Sequence, residues 1–172
     1  MSRAVLALLV ACSIGQGQAP APVPTTVPAT VSATMAQLMK GTLYPESNVV
    51  FAAQDTNPAE VKHAPDPSMA TDPLASQYGK WEAVENNALA IAEVATLLSL
   101  PGRKCSNGLD VPVTNADWVK FVQGLRDAAM ISYAAAQAKD QDKMTDAAGV
   151  MTIACANCHR KYRERKLADR CK

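Results

Sequence analysis

The chain has 172 residues, enough for one ordinary domain plus a leader and a tether. Its formal net charge of +1 gives no general electrostatic reason to expect nucleic acid or a strongly charged partner, and no nucleic acid is assigned. Only 5% of residues are aromatic and alanine is abundant, a composition suited to helices packed closely through small side chains.

Residues 1–18 read as a signal peptide. Met1-Ser2-Arg3 is a one-charge start, and the apolar run from Ala4 to Ala11 is too short to span a bilayer as a stable helix. The run ends Leu9-Val10-Ala11-Cys12, which resembles the lipobox of bacterial lipoproteins, with cleavage before Cys12 and lipidation of its thiol. The alternative is an ordinary signal cut near residues 17–19, with Cys12 discarded. Either route places the mature domain outside the cytoplasm, in the periplasm, soluble or lipid-anchored. Residues 19–30 are rich in Pro, Ala, Val and Thr, with Pro20, Pro22, Pro24 and Pro28. Such a segment favours extended polyproline II and serves as a semi-rigid tether, holding the domain off the membrane if Cys12 is lipidated.

The domain proper is assigned to residues 31–172. Val31, Met35, Leu38, Met39, Thr42 and Leu43 share one face of a first helix, with Ser32 or Thr30 as its cap. Pro45 is expected to break or kink this helix, which then resumes over 47–54. Residues 55–76 carry four prolines and no sustained period, a long loop. Trp81, Val84, Ala88, Ile91, Ala95 and Leu98 step by threes and fours along a second helix, ended by Pro101-Gly102. Thr114-Asn115-Ala116-Asp117 has the form of a capping box for a third helix with Trp118, Phe121, Val122, Leu125, Ala128 and Ala129 inside. After a polar turn at 139–143, a fourth helix buries Met144, Ala147, Ala148, Met151, Ala154 and Cys155. The expected fold is all-α, an antiparallel up-down-up-down four-helix bundle. Met130, Met144 and Met151 are expected in its core.

That fourth helix runs into Cys155-Ala156-Asn157-Cys158-His159, the Cys-x-x-Cys-His spacing of c-type haem attachment. Two thiols must add to two vinyl groups of one porphyrin while the next residue offers an imidazole to its iron, and positions i, i+3 and i+4 share one helix face. A zinc site would need two more ligands, and only the scattered Cys105, Cys171 and His63 remain beyond the leader. A thioredoxin-like pair would need a βαβ setting, which is not evident. His63 lies in the proline-rich loop, at the other end of the expected bundle, and reads as exposed. Cys105 and Cys171 fall at one end of that bundle, so a disulfide between them is topologically open and fits an oxidising compartment.

The longer run Cys155-Ala156-Asn157-Cys158-His159-Arg160-Lys161-Tyr162-Arg163, near the C-terminus, resembles the motif of the class II cytochromes c, the cytochrome c′ family. That motif reads Cys-x-x-Cys-His-x-x-Tyr-Arg or Lys. The likeness covers 31–172 in architecture, with Leu38-Met39 ahead of Pro45 similar to the family's opening helix, but only the last helix is motif-specific. It implies one covalent haem c held by Cys155 and Cys158, with His159 as proximal iron ligand. Arg163 matches the family's proximal-side basic residue and is a candidate propionate contact. Typical members leave the distal iron position open; low-spin relatives fill it with a methionine from the first helix, for which Met39 and then Met35 are the candidates. In an antiparallel arrangement His159 lies about 9 Å before a helix end near Arg165, and Met39 about 10 Å beyond a start near Ser32, against about 5 Å for Met35. The implied functions are electron transfer with redox partner proteins outside the cytoplasm, or binding of small gases such as nitric oxide by a five-coordinate iron. Neither is an enzyme activity, and no distal His and Arg pair suggests a peroxidase. Relatives of this fold often form homodimers through helices. The Cys105 and Cys171 pair departs from the family pattern.

Overall fold

The computed structural model describes residues 30–171. The signal segment, Cys12 and all of the tether but Thr30 lie outside the described residues. Among the described residues there is no β-strand, and an isolated antiparallel bridge joins Lys104 to Asp110. The rest of the regular structure is helical. Four helical columns form: α1 (Met35–Leu38), a π turn (Met39–Leu43) and α2 (Tyr44–Asp55) as one unbroken column, then α3 (Lys80–Leu97), α4 (Ala116–Ala138) and α5 (Gln141–Tyr162). No helix among the described residues is long and apolar enough to cross a membrane.

The first column starts later than its apolar spacing suggests. Neither Ser32 nor Thr30 caps it; Thr34 does. Gln37 N donates to Thr34 Oγ1 at 3.3 Å and Thr34 N donates to Gln37 Oε1 at 2.9 Å, a reciprocal box that satisfies two otherwise orphaned donors. Met35 N is taken by Lys104 O at 2.8 Å, which ties the helix start to the loop after α3. Pro45 does not break the column. Tyr44 N donates to Met39 O across the widened π turn, and Pro45 then falls in the first turn of α2, where a missing N–H is tolerated.

The loop over 55–76 is built from three short 3-10 turns, Pro58–Glu60, Pro67–Met69 and Pro73–Ala75. Each opens with an Asn or Asp, at positions 57, 66 and 72, whose side chain accepts from the backbone two residues on. Helix α3 buries Trp81, Val84, Ala88, Ile91 and Ala95, with Leu98 just beyond its end. It packs on α2 and α4, and α5 packs on the same two helices. Fully buried alanines (Ala88, Ala129, Ala136, Ala147 and Ala148) let the columns approach closely. Ser132, also fully buried, donates to Ala128 O at 3.0 Å and so leaves no unpaired hydroxyl.

Three local expectations change. Thr114 and Asp117 do not form a capping box: Asn115 is the N-cap of α4 without a side-chain bond, because Asp117 is engaged in tertiary contacts. The polar turn at 139–143 shrinks to two residues, with Lys139 left-handed at φ 51° and Asp140 capping α5 through Lys143 N at 3.0 Å. Met130 is not in the core. It sits one residue round from the buried stripe of Leu125, Ala128, Ala129 and Ser132 and is 40% exposed, whereas Met144 and Met151 are fully buried.

The columns are tied end to end by polar bonds. Gln141 Nε2 at the start of α5 donates to Ala53 O at 2.8 Å and Gln54 O at 3.2 Å, at the end of α2. Tyr162 at the end of α5 donates its hydroxyl to Asp117 Oδ1 at 2.7 Å, at the start of α4. Arg103, buried between α3 and the first column, donates to Ala33 O at 2.6 Å and Leu97 O at 3.1 Å.

The Tyr162–Asp117 bond makes stability depend on pH from both sides. Hydrogen bonds from Lys161 and then Tyr162 hold the Asp117 carboxyl below the usual 3.8. Burial, and then the bond to Asp117, pushes Tyr162 up to about 12 from 10.0. A depressed carboxylate contributes stability above its unfolded pKa and loses it as pH falls through the folded one. A raised phenol contributes below its unfolded pKa and loses it as pH rises through the folded one. Denaturant midpoints measured against pH should therefore fall below pH 3.8 and again between 10.0 and about 12. Asp117→Asn should flatten the acid limb and Tyr162→Phe the alkaline one.

Candidate cofactor site

The last turns of α5 carry Cys155, Cys158 and His159, each half-buried. All three stand on the wall of one cavity of about 410 Å³, within the size range of small-molecule and cofactor sites. Helix α5 closes its side of that wall with Met151 and Ala154, and α4 contributes Trp118, Phe121 and Leu125. Tyr162 packs edge-on against Trp118, with ring centroids 4.9 Å apart, and against Phe121 at 6.3 Å, which fixes this end of the cavity.

The first column also lines the cavity, with Met35, Met39, Leu43 and Ser47, four residues apart. In an unbroken α-helix a four-residue step overshoots the face by about 40°, so Ser47 would end far round from Met35. The π turn over Met39–Leu43 absorbs the surplus and keeps the four in one row. Both methionines picked out by the sequence therefore reach the cavity that holds Cys155, Cys158 and His159. Met35 is buried and Met39 partly buried.

Burial raises the Cys155 thiol, against a smaller lowering by Arg163. Cys158 rises to about 11 through burial first, then the neighbouring Cys155 and Asp117. His159 is lowered by burial and then by the Arg163 charge, with Glu164 opposing. At neutral pH the wall thus presents two protonated thiols and a neutral imidazole, the form that has a lone pair to give. Neither thiol is used in a disulfide.

Among the described residues no group of three or more His, Cys, Asp or Glu gathers around a point where a bare metal ion would sit. The donors run along a wall instead. That arrangement fits a flat group bringing its own donor ring, with an apolar body to fill the cavity. Among the described residues the lining holds no Asp or Glu and three cations, Lys40, Arg163 and Arg170, so it also fits carboxylates on that group. By shape and charge the residues present suit a covalent haem c.

Arg163 reaches this cavity from α5's C-cap and is exposed, and Glu164 pairs with it at 3.2 Å. His63 is exposed on the proline-rich loop, with Nδ1 2.9 Å from Ser76 O, and takes no part in the cavity. Lys40, Tyr44 and Arg170 were not picked out from the sequence. Lys40 and Tyr44 stand four apart on a flank one position round from Met39 and Leu43, a spacing that could have found them; Arg170 has no such local signal.

Cys105 and Cys171 are joined in a disulfide, with Cα atoms 6.5 Å apart. It closes the segment 163–171 over the cavity, where both cysteines line the wall. Asn107 Nδ2 donates to Leu167 O at 2.9 Å and Arg170 O at 3.0 Å, and Cys171 N donates to Tyr162 O at 3.1 Å, so the strap is held at several points. Because the bridge spans 66 residues of sequence, the variant Cys105→Ser/Cys171→Ser should lose about 2–4 kcal/mol, read as a lower denaturant midpoint.

No family model, no curated protein and no solved structure matches the chain, so the chemistry of this cavity has to be read from its own side chains.

Proposed function

We propose that the chain is a c-type cytochrome carrying one covalent haem c on an antiparallel up-down-up-down four-helix bundle, and that it transfers electrons outside the cytoplasm. The observation that carries this reading is that Cys155, Cys158, His159, Met35 and Met39 all line one largely apolar cavity. The bonds from Gln141 to the end of α2 and from Tyr162 to the start of α4 support the antiparallel bundle.

Haem, when bound, supplies an iron that cycles between ferric and ferrous states. Cys155 and Cys158 would hold the group through thioethers, which would prevent its loss. His159, kept neutral by burial, would offer its imidazole nitrogen to the iron. Met39, with Met35 as second candidate, would offer a thioether, which would raise the reduction potential. Leu43, Phe121 and Leu125 exclude water from the apolar interior. Redox partner proteins outside the cytoplasm would exchange electrons with the bound group, with a membrane tether through Cys12 if that residue is lipidated.

Protein matured with a haem-attachment system should gain the mass of one haem, and Cys155→Ala/Cys158→Ala should lose it. The reduced protein should show sharp low-spin α and β bands that broaden in Met39→Ala and persist in Met35→Ala. A broad high-spin spectrum unchanged by both substitutions would replace electron transfer by gas binding at a five-coordinate iron. Absence of any added haem would remove the reading altogether.

A further inference from the structure

The three cations of the cavity are not equivalent. Arg163 has Glu164 beside it and Lys40 is exposed to water. Arg170 is different: its Nε is buried and has no hydrogen-bond partner. A buried guanidinium donor left unpaired is costly, and among the described residues the lining of the cavity offers no Asp or Glu to meet it.

The residue is also held in place. Its carbonyl accepts from Asn107, its neighbour Cys171 is bonded to Cys105, and Cys171 N is taken by Tyr162 O. Such restraints fix a backbone at the cavity wall, while the Nε of its side chain has no hydrogen-bond partner among the described residues. A guanidinium fork matches a carboxylate in a way that an ammonium cannot.

Resting on the haem reading above, we infer that Arg170 is the residue that binds a haem propionate, and that the disulfide-linked strap exists to deliver it. Arg163 serves instead as a screening charge near His159. Arg170 is a cofactor-binding residue supplied by tertiary structure, eleven positions past the attachment motif and outside it.

The test uses holo-protein with attached haem verified by mass, so a failure of haem attachment in wild type is scored against the proposed function and not against Arg170. In Arg170→Gln the reduction potential should fall, because losing a cation next to the group favours the ferric state. The propionate bending band in resonance Raman spectra should shift as the hydrogen bond is lost. Arg170→Lys keeps the charge and so should retain most of the potential, yet still shift the band because the fork is gone. Cys105→Ser/Cys171→Ser, which frees the strap, should move both readouts in the direction of Arg170→Gln. An unmoved propionate band in either Arg170 variant overturns the inference, as does a larger drop in potential in Arg163→Gln than in Arg170→Gln. A wild-type potential that moves with inorganic phosphate at constant ionic strength would assign Arg170 to a free anion and likewise overturn it.

Discussion

Tyr162 is the joint on which this end of the molecule depends. Its hydroxyl is bonded to Asp117 at the start of α4, its ring packs edge-on against Trp118 and Phe121, and its carbonyl accepts from Cys171. One side chain thereby joins the end of α5, the start of α4 and the C-terminal strap. It sits three residues beyond His159, so anything that holds Tyr162 also sets the rotation of the helix face carrying Cys155, Cys158 and His159. The basic residues of that last turn, Arg160 and Lys161 among them, are favourably placed against the helix dipole, and Lys161 adds its ion pair with Asp117.

The cavity exists because packing changes character along the columns. Around Ala129, Ala136, Ala147 and Ala148 the helices meet through small side chains and fill the space between them. Toward the Tyr162 end the residues are larger and line the cavity, and the first column must run past it with one face in register. The π turn does this with a single widened hydrogen-bonded ring, and it also accommodates Pro45, whose ring would collide with the carbonyl four residues back in a regular helix. One irregularity meets two demands, and it lies at Met39, the first-choice candidate for the distal ligand.

The electrostatics are consistent with a neutral apolar site rimmed by positive charge. Burial keeps both thiols protonated and the imidazole neutral, while Lys40, Arg163 and Arg170 line the same space with no Asp or Glu among the described lining residues. Under the proposed function, an apolar group with carboxylates is what such a wall accommodates, and an iron bound there would feel the surrounding cations as a term favouring its ferrous state.

Much of this was readable locally. The apolar stripes of α3 and α5 and the shared face of Cys155, Cys158 and His159 follow from helical spacing, because residues three and four apart must share a face, whereas Met39 and Met35 were candidates through the family resemblance. Caps and charges were less legible. Thr34 displaced Ser32 through its bond with Gln37, and Asp117 left a cap for Tyr162 and Lys161, since a short acidic side chain takes whichever partners the fold brings near. Met130 looked like core until the neighbouring stripe was seen to lie one position round. The sequence by itself determined the helical class and the spacing that puts Cys155, Cys158 and His159 on one helix, both of which are set by neighbours along the chain. Only the tertiary structure decided how the π turn aligns the first column's lining residues, where the Cys105–Cys171 strap closes and that Arg170 is left with a buried unpaired donor, because each depends on residues far apart in sequence meeting at one end of the helices.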